Sequence, residues 1–290
     1  MTSPAISIVV ATRDRAAQLE RCLIALAWQN VRSLELVVVD DGSTDPDAVR
    51  AAVASAMLAA AHAPRVRIVQ GDGRGPAAAR NLGARAAAGA VVLFTDDDCV
   101  ARPRWAQLLA AACAGDGVAA GLTVADPAAG RAAAASQLLT HTLQLASLDR
   151  ATGNLGFAPM CNLGCSADVL RRVPFDESFP LAAGEDRDWC SRVAAHGVAL
   201  RFVPEAEVEH RPHMGIGGLL RRQLRYGRGA VRFRAAGHDD GRRLPGRAFY
   251  APLAKAALKA GPATALLIAL AQAAVAAGAL LEALPARRRQ

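Results

Sequence analysis

Short apolar runs alternate with amphipathic segments along the first third of the chain. Four apolar runs, rich in β-branched residues, occupy residues 6–11, 34–39, 66–69 and 90–95. A continuous apolar run of this length is typical of a strand that is buried on both faces of a sheet. Between the runs, apolar residues recur at helical spacing, as Leu19, Cys22 and Leu26 do. Strands that alternate with helices predict a doubly wound α/β layer with a parallel sheet.

Polar and acidic side chains directly follow three of these predicted strands. They belong to Thr12-Arg13-Asp14, Asp40-Asp41 and Asp96-Asp97-Asp98. Ligands of doubly wound sheets bind outside the carboxyl ends of the strands, so these segments are expected to converge. Adjacent carboxylates repel one another unless a hard cation or water lies between them. A solvated acidic turn is the ordinary interpretation of residues 96–98 alone, but the convergence favours a binding site.

Arg80 lies near the start of the next predicted helix, residues 77–88. An arginine at the N-terminal end of a helix can pair with a phosphate or with a neighbouring carboxylate. The local pattern leaves these two interpretations equally open. The glycine-rich loop before this helix, residues 71–76, lacks the GxxxxGK[ST] pattern. Its absence argues against a phosphate-binding P-loop.

The second half of the chain is less regular. The pattern predicts strands at residues 118–124 and 200–203, an amphipathic helix at 137–148 and a short helix at 168–172. Glu185, Asp186 and Asp188 begin a further helix, where acidic side chains are ordinary partners of the helix dipole. His210 follows the last predicted strand and can complete an oxygen-rich metal site. A lone histidine, however, is more often an ordinary surface group.

Two C-terminal segments are candidates for contact with a membrane or an anion. Residues 218–234 form a basic amphipathic pattern that can face anionic lipid, a diphosphate or solvent. Residues 263–284 form a stretch of about 22 residues, long enough to cross a bilayer. The apolar residues of this stretch are mainly alanines rather than leucines, and it includes Gln272 and Glu282. A spanning helix, a surface-lying helix and a helix packed on its own domain all stay open. The predicted division is a domain of residues 1–240 and a hydrophobic helical segment of residues 241–290.

The amino-acid composition excludes some classes of protein. Hydrophobic residues make up 52% of the 290 residues, which excludes a disordered chain. The formal net charge is +8, but most basic residues are arginines in an alanine-rich chain, so we attribute the charge to codon composition rather than to nucleic-acid binding. The six cysteines form neither a paired CxxC metal pattern nor a dense disulfide framework, which predicts buried thiols in a reducing compartment. No signal peptide is recognised at the start, and a cytoplasmic location is expected.

Taken in order, these motifs resemble those of the family 2 glycosyltransferases. The residues that carry the resemblance lie at 11–15, 40–45, 79–83, 96–98 and 184–186, with His210. Each motif is weak alone, and their order and spacing over roughly residues 5–235 make the set specific. The resemblance implies the GT-A fold. This is an α/β fold with a Rossmann-like, mostly parallel sheet flanked by helices, here with a C-terminal helical hydrophobic tail.

The resemblance also implies an inverting, metal-dependent transfer of a sugar from a nucleotide-diphosphate donor, foremost a UDP-sugar, to an acceptor hydroxyl. Asp186 would be the general base. Asp98 and His210 would hold Mg²⁺ or Mn²⁺, which prefer such ligands. The residues that would bind the nucleotide sugar are Thr12, Arg13, Asp41, Arg80, Asp96 and Asp97. The acceptor is not identified, because residues 130–166 carry no pattern that indicates one.

Three other classes of protein compete with this interpretation. A nucleotidyltransferase would usually show a glycine-rich phosphate loop after the first strand, where this chain has residues 11–15. A catalytically silent GT-A-like module would bind nucleotide sugars without turnover. Four acidic residues present together argue against it: Asp41, Asp96, Asp98 and Asp186. A nucleic-acid binder is not expected, because acidic strand ends repel a phosphate backbone. The expected partners are therefore the donor, an unidentified acceptor and, through the C-terminal segment, the inner face of the cell membrane.

Overall fold

A computed structural model describes residues 5–31, 33–60, 63–179, 182–237 and 246–284. Its strands are β1 (Ile6–Thr12), β2 (Leu34–Asp40), β3 (Arg65–Gln70), β4 (Val91–Asp96), β5 (Cys99–Ala101), β6 (Val118–Ala125), β7 (Leu148–Asp149), β8 (Asn154–Leu155), β9 (Leu163–Ser166) and β10 (Leu200–His210). Its α-helices are α1 (Ala16–Ala27), α2 (Pro46–Leu58), α3 (Pro76–Ala86), α4 (Trp105–Ala112), α5 (Gly130–Ala146), α6 (Ala167–Arg172), α7 (Glu185–Ala195), α8 (Ile216–Ala235), α9 (Arg247–Lys259) and α10 (Pro262–Ala283). The predicted boundary at residues 240–241 lies outside the described residues.

The strands form one sheet in the order β3-β2-β1-β4-β9-β6-β10-β8-β7, with β5 paired to β10. The first four strands of this order are parallel, as the alternation of apolar runs and helices predicts. In the register of the central strand, Ala11 pairs with Val39 on one side and with Asp96 on the other. The carboxyl ends of β1, β2 and β4 therefore lie side by side at one edge.

Two later strands add residues to this same edge. Strand β9 is antiparallel to β4 and β6, which makes the sheet mostly rather than wholly parallel. Strand β10 is parallel to β6 and shifts register between Val203 and Glu207. It continues beyond the short strand predicted at residues 200–203 and ends at His210, which pairs with Cys99 of β5. The ladder thus brings His210 beside the acidic end of β4.

Apolar side chains cover both faces of the sheet. On one face Leu19, Leu23 and Leu109 pack from α1 and α4, and all three are fully buried. On the other face Trp189 of α7 stacks on Phe175 with ring centroids 5.4 Å apart. Burial of this kind removes large apolar areas from water, and each Å² of buried apolar surface stabilises the folded state by about 25 cal/mol. The two covered faces leave the carboxyl-terminal edge of the sheet as the place for polar chemistry.

Helix α10 packs closely on α8. A Cβ atom at Gly227 would lie 2.0 Å from the Val275 carbonyl oxygen, and one at Gly278 would lie 2.0 Å from the Leu224 carbonyl oxygen. Only glycine permits backbones to approach this closely. Arg228 and Arg232 of α8 also pair with Glu282 at the end of α10. One face of the apolar C-terminal helix is thereby held against the rest of the chain.

Candidate active site

The ends of β1 and β4 are joined through a buried carboxylate. Thr12 Oγ1 donates a hydrogen bond of 2.8 Å to Asp97 Oδ2, and Arg15 Nη1 lies 3.1 Å from Asp97 Oδ1. Burial raises the pKa of Asp97 to about 6, although Arg15 and the Thr12 hydroxyl oppose the shift. Both oxygens of Asp97 therefore bind groups of the protein itself. Contact of Thr12 and Asp97 with a donor stays a prediction, while the structure assigns this pair to holding the acidic turn on β1.

Asp98 and His210 meet at the end of the sheet. His210 Nε2 lies 3.4 Å from Asp98 Oδ1, and this oxygen has no hydrogen-bond partner among the described residues. Burial raises the pKa of Asp98, but the positive charge of His210, when its ring is protonated, and the charges of Arg15 and Arg222 outweigh it and lower the pKa to about 2. Asp98 is consequently ionised. A buried, ionised oxygen without a donor is costly unless a cation compensates it, so the pair fits a divalent ion.

Cys99 is the third potential ligand at this point. Its Sγ atom, a ring nitrogen of His210 and a carboxylate oxygen of Asp98 all lie within 4.8 Å of one another. The neighbouring Cys161 thiol and burial raise the pKa of Cys99 well above its ordinary value. A thiolate is a soft ligand, which Mg²⁺ and Mn²⁺ do not favour. The remaining oxygen and imidazole ligands suit Mg²⁺ or Mn²⁺, with the imidazole favouring Mn²⁺.

Arg80 connects the acidic end of β4 to the start of α7. Its Nη1 lies 3.1 Å from Glu185 Oε1 and 3.2 Å from Asp186 Oδ1, and its Nη2 lies 3.5 Å from Asp96 Oδ1. Burial would lower the pKa of Arg80, but the charges of Asp186, Asp96 and Glu185 outweigh it and raise that pKa. Of the two interpretations open for Arg80, the structure shows the carboxylate pairing. Its contact with a nucleotide stays a prediction.

Asp186, at the start of α7, accepts hydrogen bonds from two donors: the Arg80 guanidinium and the Met160 backbone N–H. Gly184, with φ of 101°, turns the chain into the helix, and Asp186 Oδ2 then accepts from the Met160 backbone N–H at 3.1 Å. Burial raises the pKa of Asp186 despite the opposing charge of Arg80. Burial and the Asp186 charge likewise raise the pKa of Glu185 to about 8. Two adjacent carboxyl groups with raised pKa values form an environment in which one can take up a proton near neutral pH.

Asp41 lies at the end of β2 and organises the glycine-rich loop. Its Oδ1 accepts from the Gly73 N–H and its Oδ2 from the Gly75 N–H, each at 3.0 Å. Each carboxylate oxygen has two acceptor positions, so Asp41 can still accept one further donor at either oxygen. Arg13, which is half exposed, reaches over the same loop, with Nη1 3.4 Å from the Gly73 carbonyl oxygen. The structure thus brings Asp41 and Arg13 together, and their contact with a nucleotide stays a prediction.

Helix α8 lies close to both acidic groups. The charge of Arg222 helps to lower the pKa of Asp98, and partial desolvation with the charges of Asp186 and Glu185 raises the pKa of Tyr226. Gly229 lets α8 approach the turn before α7, since a Cβ there would lie 2.3 Å from the Ala183 carbonyl oxygen. The helix that carries the basic pattern therefore borders the site.

The acidic centre is accessible from solvent. The side chains of Asp96 and Asp186 are 42% and 24% exposed. A cavity of about 450 Å³ lies between α1 and the segments that follow β6 and β10, and its lining includes Arg21, Arg211 and His213. Solvent therefore reaches the side chains of Asp96 and Asp186.

Arg15 and Arg222 are site residues that the sequence did not single out for this role. Arg15 contacts Asp97 and Asp98. A sequence signal for this contact does exist: Arg15 follows the end of one predicted strand, and the two aspartates follow the end of another. Arg222 belongs to a run of arginines in which no spacing marks one member. Its relation to Asp98 depends on how α8 packs, which is a tertiary property.

Comparison with known sequences covers most of the chain. The family model described as "Glycosyl transferase family 2" matches residues 7–173. Glycosyltransferase AglE of Haloferax volcanii is 27% identical over 236 residues, which is 79% of this chain and 74% of that protein. Pre-mycofactocin glycosyltransferase of Mycobacterium tuberculosis is 29% identical over 243 residues, or 81% of this chain, and the match spans 48% of that protein. The matched family region holds Asp41, Arg80 and Asp98 and ends before Asp186 and His210.

Solved structures share the GT-A architecture. Mannosyltransferase PcManGT from Pyrobaculum calidifontis, in complex with GDP-Man and Mn²⁺, is similar with a TM-score of 0.60 and 23% identity, over 98% of this chain and 78% of that one. S. aureus TarS in complex with UDP is similar with a TM-score of 0.53 and 17% identity, over 78% of this chain and 65% of that one. At these identities the similarity establishes the fold.

Proposed function

Because this chain belongs to glycosyltransferase family 2, we propose that it transfers a sugar, with inversion, from a nucleotide-diphosphate donor to an acceptor hydroxyl with the aid of a divalent metal ion. The observation that carries the proposal is the Arg80 junction. One buried guanidinium draws Asp96, Glu185 and Asp186, from distant parts of the sequence, around the same point. Asp98 and His210 lie at the end of the strands beside it.

Asp98 and His210 are the residues that would hold Mg²⁺ or Mn²⁺. When bound, such an ion neutralises charge that develops on the departing nucleoside diphosphate. We propose a UDP-sugar as the donor, with Asp41, Arg13, Thr12 and Asp96 at the nucleotide side. The relatives with bound nucleotides support a nucleotide sugar in general: one carries GDP-Man and another UDP.

Asp186 would act as the general base. In a single displacement the acceptor oxygen forms a bond to the anomeric carbon while the bond from that carbon to the diphosphate oxygen breaks. The acceptor proton passes to the Asp186 carboxylate, and the diphosphate leaves with the electron pair. Arg80 and the Met160 N–H each occupy one lone pair of the Asp186 oxygens, which fixes the carboxylate and leaves acceptor positions free. Positioned base catalysis of this kind is typically worth about 10²–10⁴-fold in rate.

A donor screen tests the proposal. The whole protein is incubated with UDP-, GDP- and dTDP-sugars in the presence of Mg²⁺, Mn²⁺ or a chelator, and release of nucleoside diphosphate is measured. We expect release from one class of donor, dependent on the metal and abolished by the chelator. Release that is unaffected by the chelator contradicts the metal site. No release with any donor, together with no binding of UDP or GDP, contradicts sugar transfer as a whole.

We further propose that the C-terminal helices rest on a membrane surface, at the inner face of the cell membrane. Helix α10 is 22 residues long and apolar enough to span a membrane, yet only 28% of its most apolar stretch is buried. Its face turned away from α8 exposes Leu266, Leu280 and Leu281, each about 60% exposed. Arginines of the adjacent α8 supply positive charge that attracts anionic lipid.

Vesicle binding tests the membrane proposal. The protein is sedimented with vesicles of phosphatidylcholine containing phosphatidylglycerol. We expect Leu280→Glu with Leu281→Glu to weaken sedimentation strongly. The matched control is Leu58→Glu, because Leu58 on α2 is 89% exposed and distant in the chain from the C-terminal helices. Equal sedimentation of both variants and the unaltered protein contradicts the proposed surface.

A further inference from the structure

Gln137 of α5 lies behind His210, on the side opposite Asp98. Gln137 is 7% exposed, and its helix packs along β6. Its Nε2 donates a hydrogen bond of 2.8 Å to the Thr123 carbonyl oxygen, and its Oε1 lies 3.0 Å from His210 Nδ1. The segment in which the sequence indicates an amphipathic helix but no acceptor therefore places a buried amide against a residue of the candidate metal site.

The orientation of this amide follows from its partners. The Thr123 carbonyl oxygen can only accept, so the NH₂ group of Gln137 must face it. The Oε1 atom then faces His210, and since an amide oxygen can only accept, His210 Nδ1 must carry the proton. In the neutral ring the lone pair is consequently on Nε2. That nitrogen is the one directed at Asp98 Oδ1, 3.4 Å away, which has no hydrogen-bond partner among the described residues.

We propose that Gln137 is a positioning residue for the metal site: it selects the His210 tautomer with the proton on Nδ1 and holds the ring so that Nε2 is directed toward a metal ion shared with Asp98. The inference rests on the proposed function, because it concerns the metal of that same site. Groups that orient a ligating histidine through its other ring nitrogen typically contribute about 10–100-fold to metal affinity. Gln137 remains uncharged, so it orients the ring without adding a further carboxylate to an already acidic cluster.

Helix α5 provides a matched control. Gln144 is 1% exposed, and its Nε2 donates to the Gly121 carbonyl oxygen of β6 at 3.1 Å. Gln137 and Gln144 thus make the same kind of anchor from α5 to β6. Of these two described side chains, Gln137 alone makes a hydrogen bond with His210. Replacing either glutamine by leucine removes an anchor between α5 and β6. Only the replacement of Gln137 also removes the contact that orients His210.

The experiment measures Mn²⁺ affinity of the full chain by the electron paramagnetic resonance signal of free Mn²⁺, with and without UDP. We expect Gln137→Leu to weaken Mn²⁺ binding about 10–100-fold and Gln144→Leu to leave it within about twofold. In a His210→Ala background, Gln137→Leu should cause no further loss, since the two residues act through one ring.

Four outcomes overturn the inference. Unchanged Mn²⁺ affinity in Gln137→Leu removes the positioning role while leaving the metal site standing. An equal loss in Gln144→Leu assigns the effect to α5 packing. Absence of Mn²⁺ binding by the unaltered protein contradicts the metal site itself, and with it the metal dependence of the proposed function. A nitrogen-15 spectrum of the His210 ring in the protein saturated with Mg²⁺ adds an independent readout: we expect the proton on Nδ1, and metal bound at Nδ1 contradicts the inference.

Discussion

Replacing Arg80 by methionine tests whether one guanidinium neutralises the acidic centre. Arg80 is 8% exposed and Glu185 is 4% exposed, so the substitution leaves carboxyl groups buried without their cation. Removing one partner of a buried ion pair typically costs about 3–5 kcal/mol of unfolding free energy. Methionine retains much of the length and apolar character of the arginine stem, which limits the loss of packing against Phe175.

The cost of Arg80→Met should depend on pH, and the sign follows from Glu185. The folded-state pKa of Glu185 is about 8, above its ordinary value of 4.5, so the folded protein favours the protonated form. A carboxyl group with a raised folded-state pKa lowers stability as pH rises between these two values. Loss of Arg80 raises that pKa further. Each pH unit between the two folded-state pKa values is worth about 1.36 kcal/mol, so we expect the loss of stability to be larger at about pH 9 than at about pH 5 by about 1 kcal/mol.

Urea unfolding followed by tryptophan fluorescence provides the measurement, since Trp105 and Trp189 are fully buried. Arg50→Met is the control, because Arg50 and Asp47 form an exposed pair on α2 and such pairs contribute about 0–1 kcal/mol. Adding Glu185→Gln to Arg80→Met should recover part of the stability at high pH, because it removes one buried charge. An equal loss at both pH values, or no recovery, would refute the electrostatic account of this junction.

Three further predictions concern the acidic residues at the start of α7 and the packing of α10 on α8. Asp186→Asn should reduce kcat by about 10²–10⁴-fold while donor affinity stays near normal, because only proton removal is lost; near-normal turnover in the transfer assay reassigns the base. Glu185→Gln alone should flatten the fall of stability between pH 4.5 and about 8, and an unchanged slope in urea titrations shows that Glu185 is ionised in the folded protein. Gly278→Ala should destabilise the protein by about 1–3 kcal/mol, although glycine to alanine inside a helix ordinarily stabilises it, because the new Cβ would lie 2.0 Å from the Leu224 carbonyl oxygen. A higher melting temperature for this last variant contradicts the close packing of α8 and α10.

The sequence by itself determined the parallel strands β1 to β4 and the polar edge. Apolar runs of strand length predict β1 to β4, and the residues after Thr12, Asp40 and Asp96 predict where they end. These features are local in the sequence. A strand buried on both faces requires a continuous apolar run, and a binding site at the carboxyl ends of the strands requires polar residues just after each run. The motif order then indicates the family, which the match over residues 7–173 confirms.

Only the tertiary structure decided which side chains meet. The pairing of Arg80 with Glu185 and Asp186, and of Gln137 with His210, joins residues that are far apart in sequence. No local pattern predicts these contacts, because each depends on how a helix from the second half of the chain packs against the sheet. The same holds for α10, whose composition permits a span, a surface helix or a packed helix. Its packing on α8 is decided by Gly227 and Gly278, whose effect exists only once the two backbones touch.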